Sequence, residues 1–336
     1  MHIGIVSTGV YIPSQFMSAE EIATSSGVPL QVVKEKMGIT KKPIPGPNDH
    51  TVQMAIWAAQ NALERGQIDP KSIDCIIYIG EEHKEYPLWT AAIKIQEEIG
   101  AFHAWSFDIS LRCSTTILAL KLAKSLMLSD DSIKTVLLAG GYRNGDFIDY
   151  SNDRTRFMFN LGAGGAAMIL HKNHDANIVL ESDIMTDGSF SEDVVVPVGG
   201  TKTPLTAELL ATGAYRLDVL DPDGMKKRLE QKSMQNFLQV IRHSLAKSGY
   251  SEQDISYLSI LHMKKSAHDF VLHELGLSEN QSIYLHEYGH IGQMDQIISL
   301  QLAEQQGKLK QGDIVVLVSA GIGYAWGATT INWGSR

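Results

Sequence analysis

An internal repeat constrains this chain's fold more than any other feature. Residues 51–66, TVQMAIWAAQNALERG, carry apolar side chains at helical spacing, and a turn at Asp69-Pro70 follows. The apolar run IDCIIYIG at 73–80 then predicts a buried strand. Residues 233–262 repeat the plan with SMQNFLQVIRHSLAKSG, a turn and ISYLSILH. Leu63 matches Leu245, Ile73 matches Ile255 and Gly80 matches His262, all at one offset.

The next units match as well. Cys113 opens the helix-like STTILALKLAKSLM, and the strand-like IKTVLLAGG follows. His290 precedes MDQIISLQLAEQQG, and DIVVLVSAGIG follows. Cys113 thus falls opposite His290, and Gly140 opposite Gly321. The opening HIGIVSTGVYIP pairs with IVLESDIMTDGSF. These matches predict an α/β chain of two similar halves, 1–172 and 173–336. DGSF, PVGG and DPDG predict a loop-rich insertion over 187–232, and QSIYL at 281–285 predicts a strand.

Composition narrows the class. With 336 residues and 44% apolar content, a sizeable core is available and the composition argues against disorder. A formal charge of −9 argues against nucleic acid or an anionic membrane as the main partner. No apolar run is long enough to span a bilayer. MHIGIVSTGVYIP has neither a basic segment nor a long apolar one, and only two cysteines are present. A cytoplasmic protein is expected.

The repeat has a chemical consequence. Similar halves pack about a pseudo-two-fold axis, so equivalent points near it face each other. Ligands of parallel α/β units bind at strand ends and helix starts. Cys113, His290, His262 and the Glu81-Glu82 pair all fall at such points. The free N–H groups of a helix start favour an anion there, and Arg112 precedes the thiol. Cys113 is therefore a candidate nucleophile toward a thioester, whereas Cys75, inside IDCIIYIG, reads as core. Glu81 and Glu82 lie in the charged GEEHKEY, which reads either as a solvated loop or as a source of a base. HEYGH at 286–290 satisfies the His-Glu-x-x-His pattern of zinc proteases, but it lies in a connection, and Gly289 and Gly292 disfavour the helix that chemistry needs. No metal is expected.

GIVSTGVYIP at the start, MGITKK at 37–42, FDISLRCS at 107–114, NDRTRFMFNLGAGGAAMIL at 152–170, TDGSF at 186–190 and GIGYAWGA at 321–328 occur in an order that resembles one family. It is the 3-oxoacyl-acyl-carrier-protein synthase III branch of the thiolase-fold condensing enzymes. The resemblance implies a thiolase fold layered αβαβα, its halves related by a pseudo-two-fold. It implies Cys113 as the acyl-accepting thiol, with His262 and His290 as catalytic histidines. His290 stands where the family usually has asparagine. The backbone N–H groups of Cys113 and of the Gly321-Ile322 loop would form the oxyanion hole.

The same resemblance implies an acyltransferase that loads an acyl group onto Cys113 and joins it to a malonyl-type thioester with loss of carbon dioxide. Substrates would be coenzyme A or acyl-carrier-protein phosphopantetheine thioesters, with no cofactor, and the assembly a homodimer. Leu88 falls where the family plugs the neighbour's acyl tunnel. Lys36 and Arg154 fall on ligand-binding places, although Val32 stands where an adenine-stacking tryptophan is usual. Lys264 and Lys265 follow His262 as candidate phosphate contacts. Glu81 or Glu82 would serve a non-decarboxylating condensation like that of 3-hydroxy-3-methylglutaryl-coenzyme A synthase. Simple acyl transfer and a non-catalytic partner subunit are the remaining alternatives.

Overall fold

The computed structural model describes residues 1–335. Strand β1 (Ile3–Tyr11) leads into a hairpin of β2 (Gln15–Ser18) and β3 (Lys41–Ile44), with α1 (Ala19–Ser26) between them. Then come α2 (Thr51–Gly66), β4 (Cys75–Tyr78), α3 (Ala91–Ile99), β5 (Trp105–Asp108), α4 (Thr115–Ser129), β6 (Thr135–Tyr142) and β7 (Gly164–Lys172). The later part holds β8 (Ala176–Thr186), β9 (Val194–Val195), α5 (Ala207–Ala211), β10 (Asp218–Val219) and α6 (Pro222–Lys247). It ends with β11 (Ile255–Ile260), α7 (Lys265–Glu274), α8 (Asp295–Gln305), β12 (Ile314–Gly321) and β13 (Ala325–Ser335).

Nine strands form one sheet in the order β11-β12-β13-β8-β1-β7-β6-β4-β5. Outward from β1 the neighbours are β7, β6 and β4; outward from β8 they are β13, β12 and β11. Both walks run antiparallel, antiparallel, then parallel. The two arms meet at a single pair, Gly4 with Ile178. A side chain at Gly4 would come within 2.3 Å of the Ala176 carbonyl, so the junction needs a glycine.

The layers follow from the packing. Helix α2 covers β1, β7 and β6 on one outer face, and α6 covers β13, β8 and β12 on the other. Helices α4 and α8 lie between the two arms: α4 packs on β8 and β13, and α8 on β11 and β1. Their sequences show it. Residues 295–301 of α8 are buried on every side, as a middle layer requires, and β6 is buried along its whole length. The fold is a thiolase-type αβαβα arrangement of two similar α/β arms.

Two expectations need correction. Residues 222–232, placed in the loop-rich insertion, form the first three turns of α6. Asp221 caps that helix by accepting a hydrogen bond from Gly224 N at 3.0 Å, and Pro222 needs no N–H partner in the first turn. DPDG is thus a helix start, not a loop. Residues 282–285 do not form a strand. They run beside β11, whose edge carbonyls are taken by side chains: Gln281 Nε2 donates to Ile255 O at 2.9 Å and Ser282 Oγ to Leu258 O at 2.8 Å.

Candidate active site

Cys113 sits in a single 3-10 turn, Arg112–Ser114, that feeds α4. Arg112 holds φ +50, so the chain reverses just before the thiol. Thr115 Oγ1 donates to Arg112 O at 2.6 Å and accepts from Leu111 N at 2.8 Å, which locks the reversal. The later arm grips the same turn. Ser319 Oγ donates to Cys113 O at 2.6 Å, and Ser114 Oγ donates to Ala325 O at 3.1 Å. Gly321 packs so closely that a Cβ there would lie 3.0 Å from Cys113 N. Cys75 is buried in β4, where burial pushes its thiol up to about 12.

His290 faces the thiol, with Nε2 3.1 Å from Cys113 Sγ. Its backbone is pinned across the molecule: His290 N donates to Asn160 O at 2.8 Å and accepts through its carbonyl from Gly162 N at 2.9 Å. Gly289 and Gly292 flank it at φ +61 and +57. A side chain on the first would strike Asn160 O, and on the second the Tyr142 ring, each at 2.3 Å. The same Tyr142 ring lies 6.1 Å from the His290 ring and walls the site.

Sequence reasoning missed Asp295, the first residue of α8. It is fully buried. Its Oδ2 lies 2.6 Å from His290 Nδ1 and accepts from His262 N at 2.8 Å, while Oδ1 accepts from Ile291 N at 2.7 Å. Burial alone would pull His290 down, but Asp295 and Cys113 outweigh it and raise His290 well above the ordinary imidazole range. The available signal was the spacing: a histidine five residues before an acid that opens an otherwise buried helix.

His262 joins the site through that carboxylate. Its Nε2 is 3.2 Å from Gly38 O, so this nitrogen carries the proton. Nδ1 then accepts from Asn160 Nδ2 at 2.9 Å. Burial drops His262 to about 4, so the ring is neutral near pH 7. Asn160 lies inside the 152–170 motif, and nothing in the sequence marks it for this contact.

The remaining predicted residues divide. Glu81 is buried and Glu82 exposed, and Arg112 binds both, with Nη1 and Nη2 3.2 Å from Glu81 Oε2 and Glu82 Oε2. Arg112 therefore turns to the glutamates. Lys36 and Lys264 are exposed, and neither is among the groups around Cys113. Arg154 pairs with Asp218 at 2.6 Å, and Lys265 with Asp269 at 2.5 Å. Leu88 stands fully exposed at φ +56. The zinc-protease pattern does not converge: HEYGH is a turn, and His286 bonds to Thr40 Oγ1 at 3.1 Å while His290 faces Cys113. Among the described residues no helix is long and apolar enough to cross a membrane.

A buried thiol, an imidazole and a carboxylate bonded in succession, with the thiol turn of the early arm gripped by the later one, define an acyltransferase of the condensing type. The comparisons with known proteins agree. The profile "3-Oxoacyl-[acyl-carrier-protein (ACP)] synthase III" matches residues 107–188, and its C-terminal companion matches residues 245–333. The chain is 28% identical to a beta-ketoacyl-[acyl-carrier-protein] synthase III of Azobacteroides pseudotrichonymphae, covering 99% of this chain and 98% of that one. The 3-oxoacyl-[acyl-carrier-protein] synthase III of Aquifex aeolicus superposes with a TM-score of 0.85 at 21% identity, over 98% of this chain and 100% of that one. The enzyme of the same name from Pseudomonas aeruginosa gives 0.86 at 19%, over 99% and 98%. The chain belongs to the 3-oxoacyl-[acyl-carrier-protein] synthase III family.

Proposed function

We propose that this enzyme loads an acyl group from a thioester onto Cys113 and joins it to a malonyl-type thioester by decarboxylative Claisen condensation. The observation that carries the reading is the 3.1 Å approach of Cys113 Sγ to His290 Nε2. In the first stage the thiol proton moves to His290 Nε2, and sulfur attacks the thioester carbonyl. Backbone N–H groups of Cys113 and Ile322, beside Gly321, receive the developing oxyanion; such a donor supplies about 2.7–4 kcal/mol. Collapse expels the donor's thiolate, which takes the proton from His290 and leaves as a thiol.

In the second stage the malonyl carboxylate leaves as carbon dioxide. The enolate oxygen takes a hydrogen bond from His262 Nε2–H, the proton now shared with Gly38 O. The enolate carbon attacks the acyl-cysteine and Cys113 sulfur departs. One solvent proton restores the thiol–imidazole pair. Coenzyme A and carrier-protein thioesters are the substrates this reading needs, with no cofactor. Lys36, Arg154, Lys264 and Lys265 are the cations offered to their phosphates. Residues 1–172 supply the thiol and 173–336 the histidines. The assembly is a homodimer in the cytoplasm, with Leu88 reaching the neighbour's acyl tunnel.

Asp295 favours a second reading, acyl transfer to an alcohol or amine. With Nδ1–H held by the carboxylate, a neutral His290 keeps a lone pair at Nε2 that can take a proton from an incoming O–H or N–H. Glu81, paired to Arg112, is less suited to be the base of a non-decarboxylating condensation. One experiment separates these. Incubation with an acyl-coenzyme A should add the acyl mass to Cys113, and malonyl thioester should then release carbon dioxide. An adduct without carbon dioxide selects acyl transfer. No adduct in the wild type sinks both readings.

A further inference from the structure

Lys42 lies outside the catalytic residues named so far, yet its side chain is buried to 1% exposure. It comes from β3 of the separate β2–β3 pair and ends among three oxygens. Lys42 Nζ is 2.8 Å from the carbonyl oxygens of Phe159 and Leu161 and 2.8 Å from Tyr150 Oη. An ammonium has three protons and here meets three acceptors. The Tyr150 hydroxyl donates onward to Met17 Sδ at 3.2 Å. Burial pulls Lys42 down to about 7, and as ammonium or amine its nitrogen has a proton for each of the two carbonyls.

The two carbonyls that Lys42 holds flank Asn160, and this short loop sets both histidines. Asn160 Nδ2 donates to His262 Nδ1, which fixes the proton of that ring on Nε2. Asn160 O and Gly162 N bind the backbone of His290 on both sides, with an isolated bridge between Leu161 and His290. Turning the loop would therefore move His290 from Cys113 and release the tautomer of His262 together.

We propose that Lys42 is a positioning residue for both histidines, clamping the 159–162 loop that aims them. The proposal rests on the roles given above to Cys113, His290 and His262, and its test includes readouts that need no turnover. In the full-length protein, Lys42→Met should still melt cooperatively, at a lower temperature because two buried carbonyls lose their donor, and should lower acylation and carbon dioxide release, per titratable thiol, at least about tenfold each. The pH profile of Cys113 alkylation by iodoacetamide, located by peptide mapping, should shift. A merely structural lysine would reduce the folded fraction and leave the rate per thiol and the profile unchanged, and that result overturns the proposal.

If Lys42→Met does not fold, Asn160→Ala leaves the lysine in place. Nitrogen-15 NMR of the wild-type His262 ring should show the Nε2–H form alone, and Asn160→Ala should show a mixture and a lower ratio of carbon dioxide release to acylation. An unchanged tautomer and ratio overturn the proposal. A wild type that is not acylated would remove the proposed function, while alkylation and NMR would still decide the clamp.

Discussion

Asp295 Oδ2 lies 2.6 Å from His290 Nδ1 and 2.8 Å from the backbone nitrogen of His262, so one buried carboxylate ties together the two histidines that approach from different connections. The carboxylate opens α8, where a negative charge also meets the free N–H groups of a helix start. It fixes the His290 tautomer, leaving Nε2 for the thiol. Asp295→Asn keeps the size and one acceptor oxygen but loses the charge. Acylation of Cys113 should fall by as much as about 10⁴-fold, the loss when the carboxylate of a comparable relay becomes an amide. Timed quenching with intact-mass detection reads this directly. A rate within a few-fold of wild type would show that His290 works without its partner.

Gly321 offers a steric test of the oxyanion site. A methyl there would meet Cys113 N at 3.0 Å, Leu111 O at 3.1 Å and Arg112 Cβ at 3.2 Å. These are backbone or near-backbone atoms that cannot swing away, so the turn and the glycine loop must separate by a few tenths of an ångström. The N–H groups then miss the oxyanion. Gly321→Ala should lower acylation by about 10²-fold while leaving Cys113 open to small alkylating agents. Equal losses in alkylation and acylation would instead point to a collapsed site.

Much of this was legible in the sequence, and the exceptions share a cause. The repeat was visible because strand and helix periods leave marks every few residues, so Ile73 and Ile255 are found in β4's approach and at the start of β11. Cys113 and His290 followed from that symmetry. Asp295 did not, because an acid in a first helical turn is ordinary and only tertiary packing makes it a buried acceptor. Lys42 and Asn160 carry no mark of their own in the sequence, because only the fold brings 42, 150 and 159–161 together. QSIYL misled because its apolar alternation fits a strand, whereas side chains from 281 and 282 satisfy the β11 edge.

The buried histidines predict how stability responds to acid. Burial drops both His262 and His268 to about 4. Unfolding restores an ordinary value near 6.5, so between pH 6.5 and 4 the unfolded chain binds more protons than the folded one. Stability should therefore fall as pH falls through that window and be flat above it on their account. His268 packs edge-on against Tyr284, with Nδ1 unpartnered, and its replacement tests the sign. Relative to wild type, His268→Phe should gain about 2–3 kcal/mol between pH 7 and 4.5 in urea unfolding. A constant difference across that range would mean that His268 titrates normally.

Glu81 separates the two kinds of condensation. It is 4% exposed, and its nearest cation is Arg112 at 3.2 Å, beside the nucleophile. A carboxylate held this way has its charge compensated, which suits a structural pair better than a base that must strip a proton from an acceptor thioester. Glu81→Gln preserves the shape and an acceptor for Arg112 while removing any base. In the decarboxylating mechanism, carbon dioxide release from malonyl thioester by the acylated enzyme should stay within about threefold of wild type. Deuterium exchange at the α-carbon of a non-carboxylated acyl thioester should be negligible in both proteins, because no base is aimed there. Loss of condensation in Glu81→Gln, together with α-exchange in the wild type, would transfer the proton chemistry to this glutamate and leave Arg112 as the group that tunes it.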